Sequence, residues 1–502
     1  MSIRVSRRWI LAGLGAAAAV PGLGTGAALS GSPAVSLRPR MRSADFAARA
    51  RGGAEAVIAR FGLPGQVACA VADVASGERL DSVAGASGLP PASVAKIVTS
   101  LYALDRLGAN HRFITRVIAT GPVQNGVLQG DLVLAGGGDP TLDTNALADL
   151  AARMKRAGLR EVRGRFLVYD GALPYVHSID ESQPEHLGYS PAVSGIALNF
   201  NRVHFQWTQG AKGYAVAMDA RSDRFRPEVA MARMRVADRR MPVYTYRDQN
   251  GIDDWTVAGT ALGKGGSRWL PVRKPGLYAG DVFHTLAGAH GITLRKPEVT
   301  QRLSGGTELA RQTSAPLHEI LRMMLKYSNN LTAEMVGMGA SAAGGAPPAS
   351  LSDSAGEMSR WAARSLGMTE TRMKDHSGLS DASRMTPQDL VTALVQVRRQ
   401  GVLKPLLKPF PMRDARGTPI KNHPIRVDAK TGTLNFVSGL GGFLTAPDGT
   451  ELAFAIFAAD LPSRARSKRS PEEVPQGARP WNRKAKQLQQ KLIEHWGAVH
   501  RG

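Results

Sequence analysis

The sequence predicts an α+β fold in which helices pack on an antiparallel sheet and a large β-rich segment is inserted into the middle of the chain. Three observations carry this expectation. A helical pattern starts at Ser93, apolar strand patterns lie near both ends, and short strand-like runs fill the interval from about residue 109 to residue 300.

Overall size and composition come first. At 502 residues the chain exceeds what one hydrophobic core supports, and a prior of about 150 residues per domain gives roughly three domains. Hydrophobic residues at 43% and charged residues at 21% are ordinary soluble values. The formal charge of +23 attracts polyanions and anionic surfaces. Nucleic acid is the weaker reading of that charge, because Lys and Arg are spread along the chain and aromatics are only 6%. There is also no zinc-finger spacing, RNP-like signature or heptad-backed basic region. Peripheral contact with anionic envelope polymers or lipid headgroups is the preferred reading.

The amino terminus points to a compartment. Arg4, Arg7 and Arg8 precede an apolar stretch at 9–20 and then small residues, and no acid occurs in 1–34. That is the layout of an export signal. The run Ser6-Arg7-Arg8-Trp9-Ile10-Leu11 also resembles a twin-arginine signal. The apolar stretch is short for a membrane span, so an uncleaved anchor is the alternative. A periplasmic or other extracytoplasmic location follows. Cys69 is the sole cysteine, so no intramolecular disulfide can form. It sits in Val67-Ala68-Cys69-Ala70-Val71, where it reads as a small buried hydrophobe.

Residues 66–80 alternate around Ser76-Gly77, a strand hairpin. Pro90-Pro91-Ala92 blocks helix before Ser93, after which Val94, Ile97, Val98, Leu101 and Leu104 follow helical spacing as far as Gly108. The 109–300 interval reads as one or two inserted β-rich domains. The helical pattern returns at 317, with Leu321, Met324 and Leu325 ahead of Ser328, and 339–356 reads as a small-residue loop. Near the end, 433–444 and 452–459 are strand candidates joined across Ala446-Pro447-Asp448-Gly449, followed by a basic segment at 463–480 and a helix at 481–496. The expected domains are therefore the signal 1–34, a domain made of 35–108 and 301–502, and the insertion 109–300.

Three motifs occur once each, in the order Ser93-Val94-Ala95-Lys96, Ser328-Asn329-Asn330 and Lys430-Thr431-Gly432. Residues three apart share a helix face, so Lys96 can reach the Ser93 hydroxyl, and a desolvated lysine can serve as base near neutral pH. A serine in the first helical turn carries a backbone N–H without an intrahelical partner, able to bind a developing oxyanion. Lys430 and Thr431 on an edge strand can hold a substrate carboxylate, Gly432 permits close approach, and the N–H of Thr433 is the natural second oxyanion donor. Ser328 and Asn330 can relay a proton to a leaving amine and hold a substrate amide. Taken singly, each motif has a bland alternative: an N-cap serine with a solvated lysine, a strand-opening turn, ordinary helix capping.

The S-x-x-K, S-D-N and K-T-G set belongs to class A β-lactamases and penicillin-binding proteins, with S-N-N here in the middle place. The chain resembles the penicillin-binding protein 4 type of D-alanyl-D-alanine carboxypeptidase and endopeptidase, the S13 peptidase family, across nearly all of its mature length. The 235 positions from Ser93 to Ser328 match that family's large insertion, which class A β-lactamases lack. Similar phrases are Asp131-Leu132-Val133-Leu134 leading to Gly137-Gly138-Asp139-Pro140, Asp375-His376-Ser377-Gly378-Leu379-Ser380, and Ala429-Lys430-Thr431-Gly432-Thr433-Leu434.

The resemblance implies a serine β-lactamase/DD-peptidase-like domain, a five-stranded antiparallel sheet flanked by helices, with the insertion emerging after the Ser93 helix. It implies Ser93 as nucleophile, Lys96 as general base, Ser328 and Lys430 in the proton network, and Asn330 and Thr431 in substrate binding. Asp170 matches an insertion-domain acid that contacts the substrate's side chain in some members. The implied activity is penicillin-sensitive cleavage of D-Ala-D-Ala in peptidoglycan stem peptides, by carboxypeptidase and DD-endopeptidase action, with β-lactams as covalent inhibitors. Two positions depart from the family: Asp381 stands where an arginine usually follows Ser-Gly-Leu-Ser, and His376 replaces the glycine of Asp-Gly-Ser-Gly.

No cofactor or metal is expected, since the 11 histidines show no H-E-x-x-H pattern and there is one thiol. Gly136-Gly137-Gly138-Asp139 reads as a tight turn rather than a phosphate loop. A β-lactamase or esterase on the same scaffold and a non-catalytic wall-binding protein remain the rival readings.

Overall fold

The computed structural model describes residues 53–500 apart from 346, 415 and 471. The expected export signal, 1–34, lies outside the described residues.

Strand alternation organises the first layer. In β1 (Gln66–Asp73), Ala68, Ala70 and Ala72 join one apolar cluster while Cys69 and Val71 join another, as a period of two requires. Its partners are β2 (Arg79–Val83), β3 (Lys408–Pro409), β4 (Arg426–Leu434), β5 (Val437–Thr445) and β6 (Glu451–Ala459). The order is β3-β4-β5-β6-β1-β2 and every pair is antiparallel. The expected five strands are thus joined by a two-residue sixth at one edge. β6 is buried on both faces, Ala453, Ala455 and Phe457 to one side and Leu452, Phe454 and Ile456 to the other, so it reads as an unbroken apolar run.

Helices α1 (Gly53–Phe61) and α8 (Ala478–Val499) cover one face of this sheet. The other face carries α2 (Lys96–Leu107), α3 (Leu317–Tyr327), α4 (Asn330–Ala343), α5 (Leu351–Leu366) and α6 (Pro387–Arg398); a short α7 (Leu461–Ser467) follows β6. The alanines of β1 and β6 on that face let α6 lie close against both strands.

Two expectations change here. The segment 433–444 is not one strand: the chain turns at Asn435-Phe436, where Phe436 has φ 61°, and Lys430 lies at the centre of β4 rather than opening a strand. The first half of β4 alternates Arg426 and Asp428 with buried Val427 and Ala429, which hides it from a search for apolar runs. The supposed loop 339–356 is mostly helix, because α4 runs to Ala343 and α5 starts at Leu351. Packing of Ala333, Val336 and Ala340 into the core outweighs the low helix propensity of Gly337 and Gly339.

The inserted layer has its own core. A five-stranded mixed sheet runs in the order Pro297–Thr300, Phe166–Tyr169, Leu132–Ala135, Ile114–Ala119, Thr307–Thr313, so the layer extends past residue 300. It also holds two helices, Thr144–Arg156, capped by the Asp143 side chain, and Pro275–Ala289. Three three-stranded sheets complete it. Leu173, Ile179 and Val193 from this layer pack on Leu331, Met335 and Met338 of α4 and on Leu379, which brings the 173–198 segment to the motifs.

Candidate active site

Ser93 lies in a single 3₁₀ turn, Ala92–Ala95, that leads into α2. Its N–H precedes the first intrahelical carbonyl and points to no helical partner. Two glycines press the turn into place. A Cβ at Gly378 would meet the Ala92 carbonyl oxygen at 1.9 Å, and one at Gly432 would meet Pro91 O at 2.7 Å and Ser93 N at 2.9 Å. β4 therefore runs against the amide of Ser93, with Thr433 next in line, where its N–H can complete an oxyanion pair with that of Ser93.

Lys96 is fully buried and uses all three donor positions: Nζ is 3.0 Å from Ser93 Oγ, 2.8 Å from Asn330 Oδ1 and 2.7 Å from the Ser377 carbonyl oxygen. Burial pushes its pKa below the ordinary lysine value, against the opposing pull of Glu334 and Asp375. Both carboxyls are themselves buried and held above the usual carboxylate range. Glu334 accepts the N–H groups of His376 and Ser377, each at 2.9 Å, and Asp375 accepts those of Gly378 and Ser380 at 3.0 and 2.7 Å. The 375–380 turn, which supplies one of the three acceptors for Lys96, is fastened by these two acids.

The second motif is divided by function. Ser328 ends α3 in the left-handed region at φ 59°, and Asn329 caps α4 by accepting the Thr332 N–H. With Asn329 as cap, Ser328 and Asn330 are free for other partners. An Asp or Asn serves equally as that cap, which accounts for S-N-N in place of S-D-N. Ser328 Oγ accepts from Lys430 Nζ at 2.9 Å, and Asn330 Nδ2 donates to the Tyr189 carbonyl at 2.9 Å. Lys430 is 1% exposed and also bonds the Thr431 carbonyl. Burial first, then the charges of Lys96 and Lys408, hold its pKa well below the usual value.

A cleft of about 290 Å³ is lined by Ser93, Ser328, Asn330, Thr433, Gln183, Tyr189, Leu379 and Arg464 among others. The structure thus gathers Ser93, Lys96, Ser328, Asn330 and Lys430, with Thr431 and Thr433 on the bordering strand. Asp170 is different. It follows the strand Phe166–Tyr169 of the inserted layer, is 6% exposed, accepts a hydrogen bond from Gln301 and does not line the cleft. Burial raises its pKa to about 6.

His376 has a structural place in the 375–380 turn. It is fully buried, with Nε2 2.7 Å from Ser354 Oγ, and desolvation lowers its pKa to about 3, so the ring stays neutral. Asp381 pairs with Arg464 Nε at 2.9 Å and with Lys468. Asp381 thereby fixes Arg464 of α7, which lines the cleft. Sequence reasoning missed Gln183, Tyr189, Arg464 and Glu334. Only Glu334 left a signal, four residues after Asn330 and hence on the same helix face.

The family described as D-Ala-D-Ala carboxypeptidase 3 (S13) matches residues 54–475. A D-alanyl-D-alanine carboxypeptidase of Actinomadura sp. (strain R39) is 30% identical over 424 residues, 77% of this chain and 76% of that protein. The D-alanyl-D-alanine carboxypeptidase DacB of Haemophilus influenzae is 25% identical over 421 residues, 77% of this chain and 84% of its own. The crystal structure of penicillin binding protein 4 (dacB) from Haemophilus influenzae superposes with a TM-score of 0.71 at 18% identity, covering 88% of this chain and 99% of that one, a likeness of fold.

Proposed function

Because this chain belongs to the D-Ala-D-Ala carboxypeptidase (S13) family of serine peptidases, we propose that Ser93 is the nucleophile of a D-Ala-D-Ala carboxypeptidase acting on peptidoglycan stem peptides. The observation that carries this reading is the 3.0 Å contact of Lys96 Nζ with Ser93 Oγ inside a fully buried lysine site. Lys96 in its amine form takes the Ser93 hydroxyl proton while Oγ adds to the carbonyl carbon of the penultimate D-Ala. The oxyanion is held by the N–H groups of Ser93 and Thr433. The carbon–nitrogen bond then breaks, and the departing D-Ala amine receives its proton through Ser328, hydrogen-bonded to Lys430. Lys430 and Thr431 take the terminal carboxylate, and Asn330 takes a substrate amide. Water hydrolyses the acyl ester and returns Ser93.

A β-lactam acylates the same serine in this reading, as its amide carbonyl takes the place of the peptide's. The test is direct. Purified protein should form a stoichiometric adduct with a fluorescent penicillin and release D-Ala from a pentapeptide, and Ser93→Ala should do neither. A folded wild-type protein that forms no adduct overturns the reading; rapid turnover of the adduct would make the protein a β-lactamase.

Residues 1–34 act, in this proposal, as an export signal of twin-arginine type, placing the enzyme outside the cytoplasm beside its substrate. Among the described residues no helix is long and apolar enough to cross a membrane. Arg7→Lys with Arg8→Lys should leave the protein in the cytoplasmic fraction. Residues 35–108 and 314–502 would form the catalytic domain around the insertion, whose last strand ends at Thr313.

A further inference from the structure

β4 borders two cavities. Thr433 and Leu434 line the Ser93 cleft, whereas Thr431, Gly432 and Thr433 line a larger groove of about 1030 Å³ walled by residues 408–411, 413, 414, 416 and 417 and by α8. Six cations surround that groove, Lys408, Arg413, Arg416, Arg483, Lys486 and Lys491, against the single acid Asp414. Lys491 pairs with Glu494, and Lys408 bonds the Lys326 carbonyl. The side chains of Arg416, Arg483 and Lys486 make no ion pair or hydrogen bond among the described residues. Like charges crowded into a concave wall raise the local concentration of anions there.

We propose that this groove is a subsite for the leaving strand, taking an acidic peptide segment attached to the departing amine. The proposal rests on the Ser93 reading. Thr431 then holds the carboxylate next to the scissile bond on the departing residue. Along β4 the acyl part of the substrate lies toward Thr433 and the Ser93 cleft, and the departing part lies toward Thr431 and Lys408. A departing free D-Ala ends at that carboxylate and leaves the groove unused. A cross-linked strand continues past it and carries further carboxylates, matching both the length and the charge of the wall.

The experiment measures kcat/KM of the full chain on three substrates. They are a D-Ala-D-Ala pentapeptide, a cross-linked dimer whose leaving peptide has free carboxylates, and the same dimer with those carboxylates amidated. The triple variant Arg416→Gln/Arg483→Gln/Lys486→Gln should lose about tenfold on the acidic dimer, the sum expected of three exposed ion pairs. It should keep wild-type rates on the pentapeptide. Amidated dimer should be cleaved equally by both proteins, and added salt should erase the advantage of the acidic one. An unchanged rate on the acidic dimer, or equal losses on dimer and pentapeptide, overturns the proposal. So does loss of binding to a free anionic polymer with dimer cleavage intact. Penicillin labelling and pentapeptide hydrolysis by the wild type report separately on Ser93.

Discussion

Gly337 and His376 form a fitted pair: a Cβ at Gly337 would lie 2.2 Å from Cγ of the buried imidazole. α4 makes room for the histidine with a glycine. Gly337→Ala would gain about 1 kcal/mol of helix propensity. Overpacking a rigid ring costs about 1–3 kcal/mol, so the clash wins and the melting temperature should fall. In a His376→Gly background the same alanine should stabilise. A double-mutant cycle by thermal melting checks the pair, and additive effects would refute it.

Gly432→Ala pushes a methyl group against Pro91 O and Ser93 N. The strand must withdraw from the nucleophile's turn, opening the oxyanion pair while the sheet stays intact. Penicillin acylation should slow by about 100-fold. Stopped-flow labelling beside a thermal melt separates this from unfolding; a normal acylation rate would show that β4 does not set the oxyanion geometry.

In the proposed mechanism Lys96 acts as the free amine, so acylation should rise with pH through its titration. Burial lowers that pKa from 10.5, and the plateau should be reached below the ordinary lysine range. Glu334 favours the ammonium form, so Glu334→Gln should move the acid limb to still lower pH. Lys96→Gln should lose about a thousandfold in acylation rate on the plateau and should lack that acid limb. A limb that stays in place in Glu334→Gln would separate the acid from the base.

Asp381 holds Arg464, itself 5% exposed, as well as Lys468. Asp381→Ala leaves a buried guanidinium without its counter-ion and should cost about 3 kcal/mol in chemical denaturation. Asp381→Arg, which restores the family's usual residue, should be worse still, because three cations would then meet. Equal stability of Asp381→Arg and wild type would mean that the ion pair carries no weight.

The acylation centre was legible in the sequence because its chemistry is local. Ser93 and Lys96 share one helix face, Lys430 to Thr433 share one strand, and Asn329 spaces Ser328 from Asn330. The walls of the cleft were not legible. Tyr189 contributes a backbone carbonyl, which no side chain announces. Arg464 acquires its place only through Asp381, 83 positions earlier. The first half of β4 escaped notice because Arg426 and Asp428 alternate with buried Val427 and Ala429, so it lacks the apolar run that betrayed β6. Asp170 was placed by likeness alone, and the fold turns it toward Gln301.

In the middle of the sheet, Val67 of β1 faces Ala458 of β6, so the earliest strand is completed by one of the latest. During synthesis the inserted layer, whose strands end at Thr313, leaves the ribosome long before β4 and β6 exist. Until then the Ser93 turn has no Gly432 against it and β1 has one open edge. The pocket around Ser93 is therefore built from both ends of the chain and is incomplete until the last strand, Glu451–Ala459, has been made.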